Sequence, residues 1–208
     1  YVEVQVMRAV LWLNSNGPSA DIRRSLISEA DLIVGIDGGS DRALRAGVQV
    51  DIILGDLDST QNSHEGVEKM QLENQESSDL SKAIRYLYKK GYDQMDVIGI
   101  EGGCEGHQLG IWGSVVEAPS EVTMRLHSSQ TVSYRVAPGC IDFLIDIEPG
   151  KHFSVFALEP CQSVTLKGGR WSIENEFFSL STRGLHNISE SSLLRVSTDG
   201  NLIVVVHR

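Results

Sequence analysis

Two carboxylates one residue apart, Asp56 and Asp58, close the run DIILGDLDST at residues 51–60. Acids at that spacing, with no Lys or Arg beside them, repel each other unless a positive charge sits between them. A divalent cation with phosphate ligands meets that need, because hard cations take carboxylate oxygens. The plainer reading is a polar loop that follows a strand. The apolar run before Asp56 is short and bounded by Asp and Gly, which is the pattern of a strand in a parallel sheet. Ligands of open α/β sheets gather at the carboxyl ends of such strands. The acids therefore need a buried strand behind them and similar strands on either side.

Those neighbours are legible. Residues 7–13 read as a first strand, and residues 14–19 as a turn-rich loop. Ser19 then caps a helix carrying Ile22, Leu26 and Ile27. Residues 31–36 form a second strand ending in Asp37, Gly38 and Gly39, and a short helix from Ser40 stops at Gly47. The run DIILGDLDST comes third. Alternating strands and helices predict a parallel sheet with right-handed crossovers. The polar stretch from 60 to 71 reads as a loop. Ser77 or Ser78 caps the next helix, with Asp79 in its first turn and Leu80, Ile84 and Leu87 as its apolar stripe. Lys89 and Lys90 suit its C-terminal dipole, and Gly91 its stop. Acids favour first turns in any helix, so Asp79 taken alone specifies no chemistry. Residues 95–100 are a fourth strand, 101–107 the loop at its end, and a weakly helical segment runs on to Ala118.

From Pro119 the pattern becomes alternation: Val122, Met124 and Leu126, then Val132, Tyr134 and Val136. Turn signals recur at 128–129, 138–139, 149–150, 167–169 and 199–200. Short strands at this spacing suggest a β-sandwich or small barrel. The expected architecture is an α/β Rossmann-like parallel-sheet domain over residues 1–120, followed by an all-β sandwich over 121–208.

A chain of 208 residues, 41% hydrophobic, holds one large domain or two small ones. Its net charge of −10 argues against nucleic acid or an anionic membrane as partner. Nucleotide binding stays open, since a metal offsets charge locally. Cys104, Cys140 and Cys161 are odd in number and lack zinc spacing, which fits a reducing cytosol. No apolar run approaches a membrane span, and no signal peptide is visible. Because the chain begins without Met, an N-terminal piece is expected to be missing.

In order, the motifs are DGG at 37–39, GDLDS at 55–59, ESSD at 76–79, TLKGGRW at 165–171 and STRGLHN at 181–187. This series resembles the thiamine pyrophosphokinase family over nearly the whole chain. That family has a DGG loop, a GDxDS loop, a DxTD-type helix start, a KGxxW-type turn and a late SxGxSN-type loop. The resemblance implies a cytoplasmic homodimer that uses ATP and Mg²⁺ to pyrophosphorylate the hydroxyl of thiamine, giving thiamine diphosphate and AMP. It implies a nucleotide-binding N-terminal domain, a β domain that forms the dimer, and active sites between subunits. On that reading Asp56, Asp58 and Asp79 hold Mg²⁺ and are catalytic. Asp37, Gly38, Gly39, Arg42, Ser59, Gln75 and Lys82 then face the nucleotide, and Trp171, Ser181 and Asn187 hold thiamine. One stretch departs from the family: in GGCEGH at 102–107, Cys104 stands where the family has Arg and Gly106 where it has Asp. Two alternatives therefore stand beside the enzyme: a non-catalytic ligand-binding homologue, and a pyrophosphokinase for another heterocyclic alcohol such as a hydroxymethylpterin.

Overall fold

Runs of buried aliphatic residues alternate with helices through the first of two compact units, which ends at Ser129. The computed structural model describes residues 6–56, 64–72 and 76–208. Asp58, Ser59 and Gln75 lie outside the described residues. The first unit's strands are β1 (Met7–Trp12), β2 (Leu32–Ile36), β3 (Ile52–Gly55), β4 (Glu68–Gln71), β5 (Tyr92–Ile98) and β6 (Thr123–His127). They pair in the order β6-β5-β1-β2-β3-β4, and every pairing is parallel. Central β1 is covered on both faces, so Ala9, Val10 and Leu11 have no exposed surface.

Four helices connect these strands: α1 (Ala20–Ser28), α2 (Gly39–Arg45), α3 (Asp79–Lys89) and α4 (Glu105–Val116). The chain advances from β1 to β4, then returns past β1 to β5 and β6. Right-handed crossovers put α1 and α2 on one face and α3 and α4 on the other. The packing agrees: Val10 and Trp12 of β1 cluster with Leu26 of α1 and Ala43 of α2. On the other face, α3 lies against β3, β5 and α4 and buries Leu80, Ile84 and Leu87. The caps are those the sequence predicts: Ser19 Oγ accepts from the Ile22 amide, and Ser78 Oγ from the Ser81 amide.

Two elements differ from the sequence reading. Residues 68–71 are a strand rather than loop, β4, paired in parallel with β3. β4 is an edge strand whose Glu68, Lys69 and Gln71 are exposed, so no apolar alternation marks it. Residues 123–127, whose alternation reads as the start of the β half, instead add a parallel strand beside β5. Alternation reports a pleated surface and is blind to the direction of the partner strand. The contact boundary accordingly falls between Ser129 and Gln130.

The β5–β6 pair carries a buried charge cluster. Arg125 of β6 forks onto both oxygens of Asp96, with Nε and Nη2 each at 2.7 Å, and His127 Nε2 lies 2.6 Å from Oδ1. Burial alone would push the Asp96 carboxyl up. The hydrogen bonds and charge of His127 and Arg125 outweigh it and hold the carboxyl below the usual aspartate range.

The second unit, Gln130–Arg208, is a sandwich of two antiparallel sheets. Its strands are β7 (Thr131–Val136), β8 (Phe143–Asp146), β9 (His152–Ala157), β10 (Cys161–Lys167), β11 (Ile173–Phe178), β12 (Asn187–Ile188), β13 (Leu193–Thr198) and β14 (Leu202–His207). One layer runs β12-β9-β14-β7 and the other β11-β10-β13-β8. Alternate residues from both layers, among them Phe153, Val155, Val164, Leu166, Val196 and Val204, make a single apolar core. Among the described residues no helix is long and apolar enough to cross a membrane.

Candidate active site

The carboxyl ends of β1, β2 and β3 lie side by side, and Asp37, Asp56 and Asp79 meet there; Asp58 lies outside the described residues. Asp37 follows β2 with a left-handed backbone (φ 46°), and its amide donates to Leu54 O of β3 at 3.1 Å. That bond carries the Asp37 side chain across to the end of β3. The glycine of the GDLDS motif makes room for it: a Cβ at Gly55 would lie 1.7 Å from Asp37 Oδ1, and Gly55 has φ +152°. Gly39 serves β1 in the same way, since a Cβ there would lie 1.8 Å from Trp12 O. Asp56 follows Gly55 directly, and Asp79 enters from the first turn of α3.

Carboxylate oxygens of Asp37, Asp56 and Asp79 all lie within 4.8 Å of one another. Like charges so close oppose each other. Oxygens around one Mg²⁺, each at about 2.1 Å, stand about 3 to 4.2 Å apart, so these three acids are near enough for one such ion to gather. Asp79 Oδ1 is buried and, among the described residues, accepts no hydrogen bond of good direction. Lys82 Nζ is 2.5 Å from that oxygen, an ion pair off the hydrogen-bonding direction, while donating to Leu72 O at 3.2 Å. Lys82 therefore flanks the acids.

Asp37 and Asp79 line a cavity of about 340 Å³, walled by Leu13 and Asn14 after β1, by Ser78, and by His107, Ile111 and Ser114 of α4. Ser78 Oγ and Ser114 Oγ are 2.7 Å apart and tie the start of α3 to α4. The sequence reading missed Asn14 and Ser114. The position of Asn14, just past the end of a predicted strand, was a usable signal; Ser114 sits mid-helix and gave none. Gly38 packs on Asn14, where a Cβ would lie 2.4 Å from Nδ2. Arg42 lies apart from this cavity. It lines a neighbouring cleft, and its Nε and Nη1 make long 3.4 Å contacts to Asn14 and Asn16 Oδ1. In the altered 102–107 stretch, Cys104 and Gly106 are exposed at the start of α4, and His107 reaches the cavity.

The residues expected to hold thiamine lie in the second unit. Trp171 and Asn187 line a cavity of about 280 Å³ with Arg183, Leu185 and Ile173. Buried Asn187 binds the Trp171 backbone in both directions: Oδ1 accepts from the Trp171 amide at 3.2 Å and Nδ2 donates to Trp171 O at 2.8 Å. Its side chain thus sets the loop that displays the Trp171 indole, which is 57% exposed. Ser181 does not line the cavity; it caps the 3₁₀ turn Thr182–Gly184 by accepting from the Arg183 amide at 3.4 Å. Arg183, which lines the cavity, is ion-paired with Glu176, and that hydrogen bond holds the Glu176 carboxyl below its ordinary range.

Comparison with known proteins places these features. Residues 23–126 match the family model described as thiamin pyrophosphokinase, catalytic domain. Among curated protein sequences no relative is found. The fold is similar to the crystal structure of thiamine pyrophosphokinase from Bacillus subtilis, at 22% identity, TM-score 0.77, and coverage of 97% of this chain and 98% of that one. Thiamin pyrophosphokinase from Candida albicans is similar at 15% identity and TM-score 0.72, covering 98% and 90%. The yeast enzyme is similar at 15% identity and TM-score 0.75, covering 98% and 86%.

Proposed function

The chain belongs to the thiamin pyrophosphokinase family, a kinase-type family, and on that premise we propose that it transfers pyrophosphate from ATP to the hydroxyl of thiamine. The products are thiamine diphosphate and AMP. The observation that carries this reading is the convergence of Asp37, Asp56 and Asp79 beside a cavity at the strand ends.

Asp56 and Asp79, with Asp58, are assigned to Mg²⁺, and Asp37 completes the acidic group. Bound there, Mg²⁺ supplies neutralisation of the triphosphate charge. Lys82 holds the Asp79 carboxylate in place and adds a positive charge beside it. Gly38, Gly39 and Asn14, at the ends of β1 and β2, are assigned to the nucleotide, with Ser59, Gln75 and Arg42 as further nucleotide contacts. The alcohol oxygen attacks the β-phosphorus, a new P–O bond forms, and the bond from that phosphorus to the α–β bridging oxygen breaks, releasing AMP. Such a transfer calls for positioning and charge neutralisation more than for a protein nucleophile. Trp171, Ser181 and Asn187 of the second unit are assigned to thiamine, the indole face suiting a cationic ring. The working form is assigned as a cytoplasmic homodimer.

Incubation with ATP, Mg²⁺ and thiamine, followed by chromatography, tests the reading. Equimolar AMP and thiamine diphosphate are expected. Product no higher than in an enzyme-free control overturns it, and AMP formed only with another heterocyclic alcohol reassigns the acceptor.

A further inference from the structure

Helix α2 is seven residues long, yet it buries a carboxylate: Asp41, in its first turn, has a side chain only 5% exposed. A carboxylate withdrawn from water costs free energy unless a partner meets it. Here the partner is His64, whose imidazole is 3% exposed and whose Nε2 lies 2.7 Å from Asp41 Oδ1. An ionised carboxylate only accepts, so the imidazole donates from Nε2. His64 has a left-handed backbone (φ 40°), and its carbonyl accepts from the Val67 amide at 3.2 Å. A side chain in that conformation persists where its surroundings over-determine it. The proposed chemistry uses neither residue.

The pair ties together the two connections that carry acids. Asp37 follows β2, and α2 begins at Gly39; Asp56 follows β3, and the chain returns to β4 through His64. The first turn of α2 is fixed to Asp37 and to β2. Ser40 Oγ donates to Asp37 O at 2.8 Å, and a Cβ at Gly35 would lie 2.7 Å from Ser40 Cβ. Toward β4, Val67 packs against the cluster that contains Ala43 of α2. Apolar contact is non-directional, whereas the hydrogen bond from His64 to Asp41 has a set length and direction. The Asp37 and Asp56 connections are thus registered at two points: by the Asp37 amide on Leu54 O, and farther out by His64 on Asp41. Carboxylates that repel one another spread apart unless their backbones are held.

We propose that Asp41 and His64 are positioning residues for the metal: without touching it, they hold the Asp37 and Asp56 connections at the separation that one divalent cation gathers. Partners that brace metal ligands from behind govern metal affinity as well as fold. The inference rests on the assignment of the acidic group to Mg²⁺.

Titration with Mn²⁺ alone, followed by the EPR signal of the free ion, reads the metal without turnover. His64→Ala is expected to weaken Mn²⁺ binding about tenfold or more. His64→Gln keeps an N–H donor for Asp41 and is expected to restore most of the affinity. Asp96→Asn is the control for destabilisation: it loosens the β5–β6 pair and is expected to keep wild-type affinity. In turnover with ATP and thiamine, His64→Ala is expected to lower kcat and raise the Mg²⁺ concentration that gives half the maximal rate, with KM for thiamine unchanged. If His64→Ala does not fold, Asp41→Asn, which keeps the shape of the side chain and removes its charge, must weaken Mn²⁺ binding several-fold. Wild-type affinity in His64→Ala, no recovery in His64→Gln, or an equal loss in Asp96→Asn would each overturn the proposal. A wild type that binds no Mn²⁺ overturns the metal assignment and the proposal with it. Mn²⁺ binding that depends on His64, in a protein that makes no thiamine diphosphate, supports the positioning role and removes only the activity.

Discussion

Asp79 shows how a residue acquires meaning from its company. In the first turn of α3 it is an ordinary helix-start acid, yet its carboxylate is ion-paired with Lys82 and stands close to those of Asp37 and Asp56. Asp56→Asn and Asp79→Asn are each expected to abolish pyrophosphoryl transfer while leaving the melting temperature equal to or above that of wild type. The reasoning is that each substitution removes one charge from a repelling group, as in other sites where function opposes stability. Wild-type turnover in either variant would remove these acids from the chemistry. Gly55 carries a different kind of constraint. Gly55→Ala brings a methyl group into the space of the Asp37 carboxylate at a backbone angle that side chains rarely adopt. Urea denaturation should show a loss of at least about 1–3 kcal/mol, accompanied by loss of activity; an unchanged midpoint would contradict the close approach.

Between elements, the β5–β6 contact is where electrostatics and topology meet. Asp96 binds Arg125 and His127 across the strand pair, so the pair that closes this edge of the parallel sheet is held by ionic as well as ladder bonds. The folded-state carboxyl of Asp96 titrates below its ordinary value of 3.8. A group shifted that way stabilises the fold above its unfolded pKa, and the contribution is lost as pH falls through the folded one. Asp96→Asn is therefore expected to cost about 3–5 kcal/mol at neutral pH, since it removes the buried carboxylate that Arg125 and His127 bind. The gap from wild type should begin to narrow as pH drops below about 4, where the carboxyl of the unfolded chain takes up its proton, and go on narrowing as pH falls through the lower folded-state value. Urea midpoints at pH 7 and pH 3 measure both; a gap that does not shrink in acid would assign the loss to packing alone.

For the whole molecule, ligand linkage is the broadest test. A ligand present at a hundred times its Kd stabilises the folded state by about 2.7 kcal/mol. For a chain of this size about 1 kcal/mol moves the midpoint by about 2–4 °C, so ATP with Mg²⁺ should raise Tm by about 5–10 °C. EDTA should reverse most of the rise, and Asp79→Asn should not show it. An equal rise in that variant would place nucleotide binding elsewhere. Sedimentation velocity tests the homodimer on the same samples: a species of twice the chain mass of 22.8 kDa is expected, and a monomer at micromolar concentration would overturn it.

Much of the fold and the acidic group was legible in the chain because it is written in local signals. A glycine before an acid marks a strand end, Ser78 before Asp79 marks a helix start, and alternation marks the sandwich. The edge strand β4 was not legible, because an edge exposed to water carries no apolar pattern. Nor was the parallel partner of β6, because alternation is the same in either direction. Sequence alone determined which side chains stand at the ends of which elements: Asp37, Asp56 and Asp79 each at a terminus. Tertiary structure decided which of them meet. Parallel register aligned the strand ends and brought the three acids within 4.8 Å, and the hand of the crossovers placed α1 and α2 on the face opposite α3 and α4. Both outcomes depend on contacts between residues far apart in the chain, and no local pattern encodes such distances.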